Sequence, residues 1–246
     1  MTSSLENVQM IVVADASELA ARAADQIASE IARRPNLSLL AATGNTPMGA
    51  YAELARRRSA GMLTTSGLRV AQLDEYLGVG DDDPRSLYRW LETSLTGPLG
   101  VTADRLIRLW GNAADPDADC AAFDAAVAAW GGIDLAVLGL GPNGHLGFNE
   151  PPSPSDAPTR VVTLTPASLM SNAGYWGGLA VPSRAVTAGM NLILSSKRVL
   201  LLVSGAHKNE ILRRTLTEPI TPDLPASLLR RAALTVIADK AAWGNA

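Results

Sequence analysis

Residues 133–141 read IDLAVLGLG and residues 197–205 read KRVLLLVSG, and these two stretches decide the fold class. Each is a short apolar run without the polar alternation of a strand that has one face in water. Strands that are buried on both faces are typical of parallel sheets covered by helices on both sides. The two stretches therefore predict a parallel central sheet inside the molecule.

The surrounding segments repeat the same alternation of strand and helix. Residues 16–33 predict a helix, because Leu19, Ala23, Ile27 and Ile31 form one apolar stripe. The alternation predicts an α/β fold with a mostly parallel central sheet and helices on both faces. No repeat, linker or break in composition divides the chain, so we expect a single domain. Further strands are predicted at 10–15, 37–43, 68–76 and 233–239, and further helices at 47–58 with Pro47 first, 85–95, 117–130 and 206–218.

Charge and hydropathy argue against several classes of protein. The net charge of the 246 residues is −3, and no run of lysine or arginine suggests a nucleic-acid partner. The longest apolar stretches, such as VLLLV, are too short to cross a bilayer. The N-terminal residues MTSSLENVQM lack the basic and apolar regions of a secretory signal. We therefore expect a cytoplasmic protein without membrane or nucleic-acid partners.

The single cysteine and the two histidines set further limits. Cys120 cannot form an intrachain disulfide, which fits a reducing compartment, and its Ala-rich helical surroundings predict a small core residue. Only His145 and His207 are available as imidazole ligands, so we expect no zinc site.

Residues 139–152, GLGPNGHLGFNEPP, begin with the pattern G-x-G-x-x-G of a dinucleotide-binding turn. Such a turn needs a long helix directly after the glycines, with its N-terminus facing the pyrophosphate. The residues that follow contain another glycine and two prolines, so a long helix cannot begin there. The dinucleotide interpretation is therefore rejected. The Pro-rich residues 151–158 are the longest irregular piece and a candidate mobile loop.

Four of the predicted strands end in polar clusters. In an open parallel sheet, ligands bind beyond the carboxyl ends of the strands, so these clusters are expected to converge. The clusters are Thr43 to Thr46 after the strand at 37–43, Asp74 and Glu75 at 68–76, Asn143 to Glu150 after 133–141, and His207 with Lys208 after 197–205.

Two of the clusters suggest a phosphate site. The turn TGNTP, residues 43–47, precedes a predicted helix, whose first backbone N–H groups attract anions. Lys208 opens another helix, where a cation is unfavourable unless an anion is bound. The plainer interpretations are a helix capped by Thr46 and a solvated Lys208. Together, Thr43, Gly44, Asn45, Thr46 and Lys208 predict a monophosphate held between two strand ends.

The other two clusters suggest proton transfer. Asp74 can act as a general base if its surroundings are dry, whereas the plainer interpretation is a solvated loop acid. His145 lies five residues before Glu150, and a histidine oriented by a carboxylate or an amide moves protons near neutral pH. Asn143 is a candidate orienting partner, and the plainer interpretation of His145 is a structural bond to a turn. No G-x-S-x-G nucleophile motif is present.

At these residues the chain resembles the glucosamine-6-phosphate deaminase/isomerase family, within the 6-phosphogluconolactonase-like superfamily. ATGNTPMGAY resembles the family's phosphate loop, LDEYLGV its catalytic-base segment and LGLGPNGHLGFNEPP its ring-opening segment. The resemblance runs from about residue 37 to residue 239 with family-like spacing. It implies a Rossmann-like three-layer α/β fold, an amino-sugar phosphate as substrate, and no cofactor.

The resemblance also implies a role for each candidate residue. His145 would open the sugar ring, with Glu150 and Asn143 positioning it, and Asp74 would carry a proton from C2 to C1. Gly44, Asn45, Thr46 and Lys208 would hold the phosphate. The products would be a ketohexose 6-phosphate and ammonia.

The chain departs from the family pattern at two positions. Many members have Asp where Asn143 stands, although others carry Asn. Members commonly have a phosphate-binding Arg where Gly174 stands, so the phosphate contacts or the substrate differ here. A 6-phosphogluconolactonase-type hydrolase and a non-catalytic sugar-phosphate sensor remain as alternatives, and so does the galactosamine epimer. The oligomeric state stays open, with a homo-oligomer included.

Overall fold

In the computed structural model, which describes residues 8–244, a seven-stranded sheet forms the centre of the protein. Its neighbouring strands all pair in parallel, in the order β1-β10-β9-β6-β2-β3-β5. The predicted mostly parallel sheet is thus confirmed. The strands are β1 (Val8–Val13), β2 (Ser38–Ala41), β3 (Arg69–Gln72), β5 (Leu106–Ile107), β6 (Leu135–Gly139), β9 (Arg198–Val203) and β10 (Leu234–Asp239).

Successive residues of the central strands enter two different cores. In β6, Leu135 and Val137 pack into one core, and Ala136 and Leu138 pack into the other. This alternation follows from the two-residue period of a strand whose two faces are both buried. It explains why IDLAVLGLG and KRVLLLVSG are apolar throughout.

Helices cover both faces of the sheet, which gives the predicted three layers. One face is covered by α1 (Ala16–Arg33) and α2 (Asn45–Ser59), and the stripe predicted for α1 is buried. The other face is covered by α4 (Pro116–Ala129), α6 (Met190–Ser195) and α7 (Asn209–Thr217). Cys120 in α4 is a buried core residue, as its surroundings predicted.

The remaining helices are short. They are α3 (Leu87–Leu91), α5 (Pro166–Ala173) and α8 (Lys240–Trp243), with a π-helical turn at Glu92–Thr96 and 3-10 turns at Ala103–Arg105, Ala206–Lys208 and Pro225–Arg231. The predicted helix at 85–95 is therefore α3 followed by the π-helical turn, and the one at 206–218 is a 3-10 turn followed by α7. Pro47 is not the first helical residue, because α2 begins at Asn45.

The predicted single strand at 68–76 is wrong, because the chain changes sheets at Leu73. Its backbone N–H donates to Ala41 in the central sheet, at 3.2 Å, while its carbonyl accepts from Ala188, at 2.8 Å. The chain continues as β4 (Asp74–Tyr76), which pairs antiparallel with β8 (Arg184–Thr187). With β7 (Arg160–Thr163), these strands form a small second sheet that the sequence did not predict.

Residues 1–7 of the N-terminal stretch that was compared with a secretory signal lie outside the described residues. Within residues 8–244, no helix combines the length and the apolar character that a bilayer crossing requires.

Candidate active site

A cleft of about 770 Å³ lies at the carboxyl edge of the central sheet. The four strands with polar ends, β9, β6, β2 and β3, are consecutive neighbours in that sheet, so their following loops meet at one place. The predicted convergence is therefore present. Of the candidate residues, those that line the cleft are Thr43, Gly44, Asn45, Thr46, Asp74, His145 and Lys208. Asn143 and Glu150 lie behind His145.

The first turn of α2 forms one end of the cleft. Gly44 is the N-cap residue, with a φ of +94° that favours glycine, and no side chain caps the helix. The interpretation of Thr46 as the cap is therefore wrong. The backbone N–H of Asn45 faces the Tyr175 hydroxyl, whereas that of Thr46 remains available to an anion, and the helix dipole adds partial positive charge.

Lys208 borders the cleft at the end of the 3-10 turn after β9. Burial lowers the pKa of its ammonium group. Within residues 8–244, no carboxylate forms an ion pair or hydrogen bond with this ammonium group, and Lys208 is the only lysine or arginine that lines the cleft. A partly buried cation beside an uncapped helix start is suited to an anionic group.

Asp74 follows the point where the chain leaves the central sheet, and it is 7% exposed. Among the described residues, no hydrogen bond ends on its carboxylate oxygens, although the side chain lines the cleft. Burial, together with the smaller effect of the neighbouring charge of Glu75, raises the pKa of Asp74 to about 8. The interpretation as a solvated loop acid is therefore wrong. A dry carboxylate with a pKa near neutral has the properties of a general base.

Glu75 has a different environment from Asp74. Its carboxylate accepts backbone hydrogen bonds from Tyr76 (2.9 Å), Leu87 (2.9 Å) and Tyr88 (2.8 Å), and one from the Ser86 hydroxyl (3.1 Å). Burial raises the pKa of Glu75, and these hydrogen bonds oppose the rise. Glu75 therefore anchors the start of α3 to β4, and it is not among the residues that line the cleft.

His145 is held by a network of polar side chains. Its Nδ1 lies 3.2 Å from the Ser168 hydroxyl and 3.7 Å from Oε2 of Glu150. Asn143 donates to Glu150 Oε2 at 2.8 Å and accepts from the backbone N–H of His145 at 3.2 Å. Asn143 thus acts on the imidazole through Glu150 and the backbone. His145 lines the cleft, and among the described residues no hydrogen bond is made by its Nε2.

Glu150 is a charged anchor for this network. Burial raises its pKa, but contacts with His145, Ser168 and Asn143 outweigh burial and lower the pKa to about 2. Thr165 adds hydrogen bonds from its backbone N–H (3.3 Å) and its hydroxyl (3.0 Å). A fixed carboxylate beside Nδ1 selects the orientation of the imidazole ring.

The glycines of the G-x-G-x-x-G pattern make room for these side chains. No helix follows them, since residues 140–159 contain none, as the prolines and the further glycine in this stretch predicted. A side chain on Gly141 would overlap the His145 ring. A Cβ on Gly147, whose φ is +58°, would lie 3.2 Å from Oδ2 of Asp74 and 2.9 Å from the Thr187 hydroxyl.

Gly141→Ala is expected to lower kcat/KM by roughly 10²-fold, because a displacement of about 1 Å is enough to misplace a catalytic group. Overpacking also costs about 1–3 kcal/mol of stability. Gly80→Ala is the matched control, since a methyl group there meets only the Asn112 amide at 4.0 Å. Steady-state kinetics of the two variants checks this. Equal activity in both would show that the position of the His145 ring is unimportant.

Sequence reasoning missed the segment 165–175, which brings Thr165, Ser168 and Asn172 to the site. Asn172 donates to the Tyr76 hydroxyl at 3.0 Å. Thr165 caps α5 and Pro166 follows it, which is a recognised signal for a helix start. That signal could have located α5, but nothing in the sequence pointed to its contact with His145.

No group of three or more His, Cys, Asp or Glu side chains suited to a metal ion occurs in the described part of the chain. The cleft combines an anion-binding end with a buried carboxylate and an oriented imidazole. On a parallel sheet covered on both faces, these features define an α/β enzyme that moves protons on a small anionic molecule.

Comparison with known proteins agrees with this class. Residues 13–238 match the family described as glucosamine-6-phosphate isomerases/6-phosphogluconolactonase. The chain is 38% identical to the glucosamine-6-phosphate deaminase of Lysinibacillus sphaericus, over 89% of this chain and 94% of that protein. It is 36% identical to that of Streptomyces coelicolor, over 96% of this chain and 91% of that protein. The chain belongs to the glucosamine-6-phosphate isomerase/6-phosphogluconolactonase family.

Two solved structures have the same fold as this chain. A monomeric glucosamine-6-phosphate deaminase superimposes with a TM-score of 0.92 at 36% identity, covering 95% of this chain and 98% of that one. The 6-phosphogluconolactonase of Trypanosoma cruzi superimposes with a TM-score of 0.79 at 20% identity, covering 98% and 97% of the two chains. The second similarity concerns the fold alone.

Proposed function

We propose that this protein converts glucosamine 6-phosphate and water into fructose 6-phosphate and ammonia. The observation that carries the proposal is the cleft itself, where a buried carboxylate without hydrogen bonds, Asp74, shares one space with the unpaired Lys208 and the uncapped start of α2. A phosphate at the cationic end orients the sugar carbons toward the carboxylate. The relatives at 36–38% identity, which are glucosamine-6-phosphate deaminases, support the substrate.

The first step is ring opening at His145. The imidazole transfers a proton between the anomeric hydroxyl and the ring oxygen, which gives the open-chain aldehyde with its amine on C2. Glu150 and Ser168 hold Nδ1, so that Nε2 is the group that exchanges protons with the sugar. Asn143 keeps Glu150 in place.

The second step is proton transfer at Asp74. Its carboxylate removes the proton from C2, the electron pair forms the C1–C2 double bond of an enolamine, and the aldehyde oxygen takes a proton from the ammonium group on C2. The carboxylic acid then returns its proton to C1, which leaves an imine at C2. Water adds to this imine, ammonia leaves, and the ketone remains. The C1 aldehyde carbonyl of the substrate itself accepts the electron pair from the C2–H bond, so we expect the reaction to need no cofactor.

The properties of Asp74 favour this reaction over lactone hydrolysis. Hydrolysis of a lactone removes no proton from carbon, whereas isomerisation requires a strong base beside C2. A carboxylate that is dry and has a raised pKa is a stronger base than a solvated one. The lactonase structures, at about 20% identity, support only the shared fold.

The proposal includes a single catalytic domain that works in the cytoplasm. Two cores that share the strands of one sheet support a single domain. The buried, unpaired Cys120 fits a reducing compartment.

The experiment that tests the proposal is a paired assay of ammonia and ketohexose 6-phosphate. We expect equal amounts of both products from glucosamine 6-phosphate, with galactosamine 6-phosphate assayed in parallel. Products from the galactosamine epimer alone would correct the substrate. Folded protein that releases ammonia from neither sugar but hydrolyses 6-phosphogluconolactone would refute the proposal.

The pH dependence of kcat/KM follows from Asp74. Only the deprotonated carboxylate removes the C2 proton, and its pKa in the free enzyme is about 8. The value of kcat/KM is therefore expected to rise about tenfold per pH unit below pH 8 and to level off above it. Initial rates at low substrate concentration, with stable protein confirmed at each pH, measure this. A flat profile between pH 6 and 8 would contradict the role of Asp74.

A further inference from the structure

The phosphate end of the cleft has little positive charge for a dianion. Lys208 is the only lysine or arginine that lines it within residues 8–244, and Gly174 contributes no side chain. The start of α2 adds backbone N–H groups but no side-chain cap. A further donor at this end would therefore strengthen binding considerably.

Tyr175 places a hydroxyl at this end of the cleft. It follows α5 and its C-cap residue Gly174, and it lines the cleft. Its hydroxyl oxygen would lie 3.8 Å from a Cβ on Gly44, the N-cap residue of α2. The backbone N–H of Asn45 faces the same hydroxyl.

The Tyr175 ring is fixed by other aromatic rings. Its centroid lies 5.3 Å from that of Trp90 and 6.0 Å from that of Trp176, both in edge-to-face arrangements. Such contacts hold a ring in a defined orientation. A phenylalanine would make the same packing contacts, so packing does not account for the hydroxyl at the start of α2.

We propose that Tyr175 is a substrate-binding residue whose hydroxyl donates a hydrogen bond to a phosphate oxygen held between the start of α2 and Lys208. The inference rests on the proposed function for its substrate. A phenol hydroxyl both donates and accepts, so it can accept from Asn45 N–H while it donates to the anion. At the phosphate end of the cleft, the uncharged Tyr175 hydroxyl thus contributes a hydrogen bond in place of the one that a second cationic side chain would donate.

The position of Tyr175 also connects phosphate binding with the catalytic end of the cleft. Segment 165–175 carries Ser168, which contacts His145, and Asn172, which contacts Tyr76. Segment 165–175 therefore contributes side chains both to the phosphate end and to the His145 end of the cleft. The phosphate-binding end of the cleft thus selects sugars that carry a negatively charged group on C6, away from the reacting carbons C1 and C2.

Tyr175→Phe tests the proposal, because it removes only the hydroxyl and keeps the ring. We expect KM for the amino-sugar phosphate to rise roughly tenfold, in line with a hydrogen bond to a charged group. We expect kcat to stay within about twofold, and the dissociation constant of inorganic phosphate to rise by about the same factor as KM. The matched control is Tyr88→Phe, whose hydroxyl bonds to Glu92 at 2.9 Å outside the cleft.

Two further readouts separate the possible failures. Turnover of unphosphorylated glucosamine should be equal in wild type and Tyr175→Phe, since the lost contact involves only the phosphate. Unchanged KM and unchanged phosphate affinity in a Tyr175→Phe protein of normal melting temperature would overturn the inference. If the wild type releases no ammonia, the proposed function fails, and the titration with inorganic phosphate still decides the role of Tyr175.

Discussion

Asp74→Asn is expected to lower kcat by about 10³-fold, within the range that a general base contributes. The amide has nearly the same shape as the carboxylate but cannot accept the C2 proton. Inorganic phosphate should bind the variant with an unchanged dissociation constant, because the proposed phosphate site consists of the start of α2 and Lys208 and does not include Asp74. Ammonia release and phosphate titration measure the two effects.

The control for this variant is Asp82→Asn, since Asp82 is an exposed acid on the loop that follows β4. It should keep wild-type turnover. If Asp74→Asn also keeps wild-type turnover, Asp74 is not the base. If instead it loses phosphate binding as well as turnover, the change has disturbed the whole cleft and the assigned role is not supported.

Lys208→Ala is expected to raise KM by roughly 10²-fold, since hydrogen bonds to a charged group contribute about 1.5–3 kcal/mol and no other lysine or arginine lines the described cleft. The effect on kcat should be smaller, because Lys208 binds the phosphate equally in substrate and transition state. Steady-state kinetics over a wide substrate range separates the two parameters.

The control for Lys208 is Lys240→Ala, which removes an exposed ammonium group from the first residue of α8. Its KM should equal that of the wild type. A KM for Lys208→Ala that also equals the wild-type value would remove Lys208 from the phosphate site.

The central sheet could be predicted from the sequence because its strands are buried on both faces. That burial makes β6 and β9 apolar throughout, and the stripe of α1 follows from its contact with the same sheet. The small sheet of β4, β7 and β8 gives no such signal. Its strands are three or four residues long, and two of them, β7 and β8, contain arginine and threonine at their ends.

The change of sheets at Leu73 illustrates the limit of periodicity. Residues 68–73 are mostly apolar, and Asp74, Glu75 and Tyr76 after them are buried, so the local pattern does not show that the hydrogen-bonding partners change at Leu73. The contact depends on β8, more than 100 positions further along the chain, which a local pattern does not encode. The consequence for the site is large, since this change buries Asp74.

The candidate site was predictable where it follows from strand ends. Thr43 to Thr46, Asp74, His145 and Lys208 come directly after apolar strands, and parallel packing brings such ends together. Ser168 and Tyr175 were not predictable in this way. Ser168 lies in the short helix α5 and Tyr175 lies just after it, outside the central sheet. Only the folded chain brings Ser168 to His145 and Tyr175 to Gly44.

The most direct test of the account is a crystal structure with an open-chain analogue, 2-amino-2-deoxyglucitol 6-phosphate. The account predicts its phosphate between the start of α2 and Lys208, its C2 beside the Asp74 carboxylate, and its C5 oxygen next to His145. A phosphate bound elsewhere, or an analogue whose C2 lies away from Asp74, would contradict the proposed mechanism.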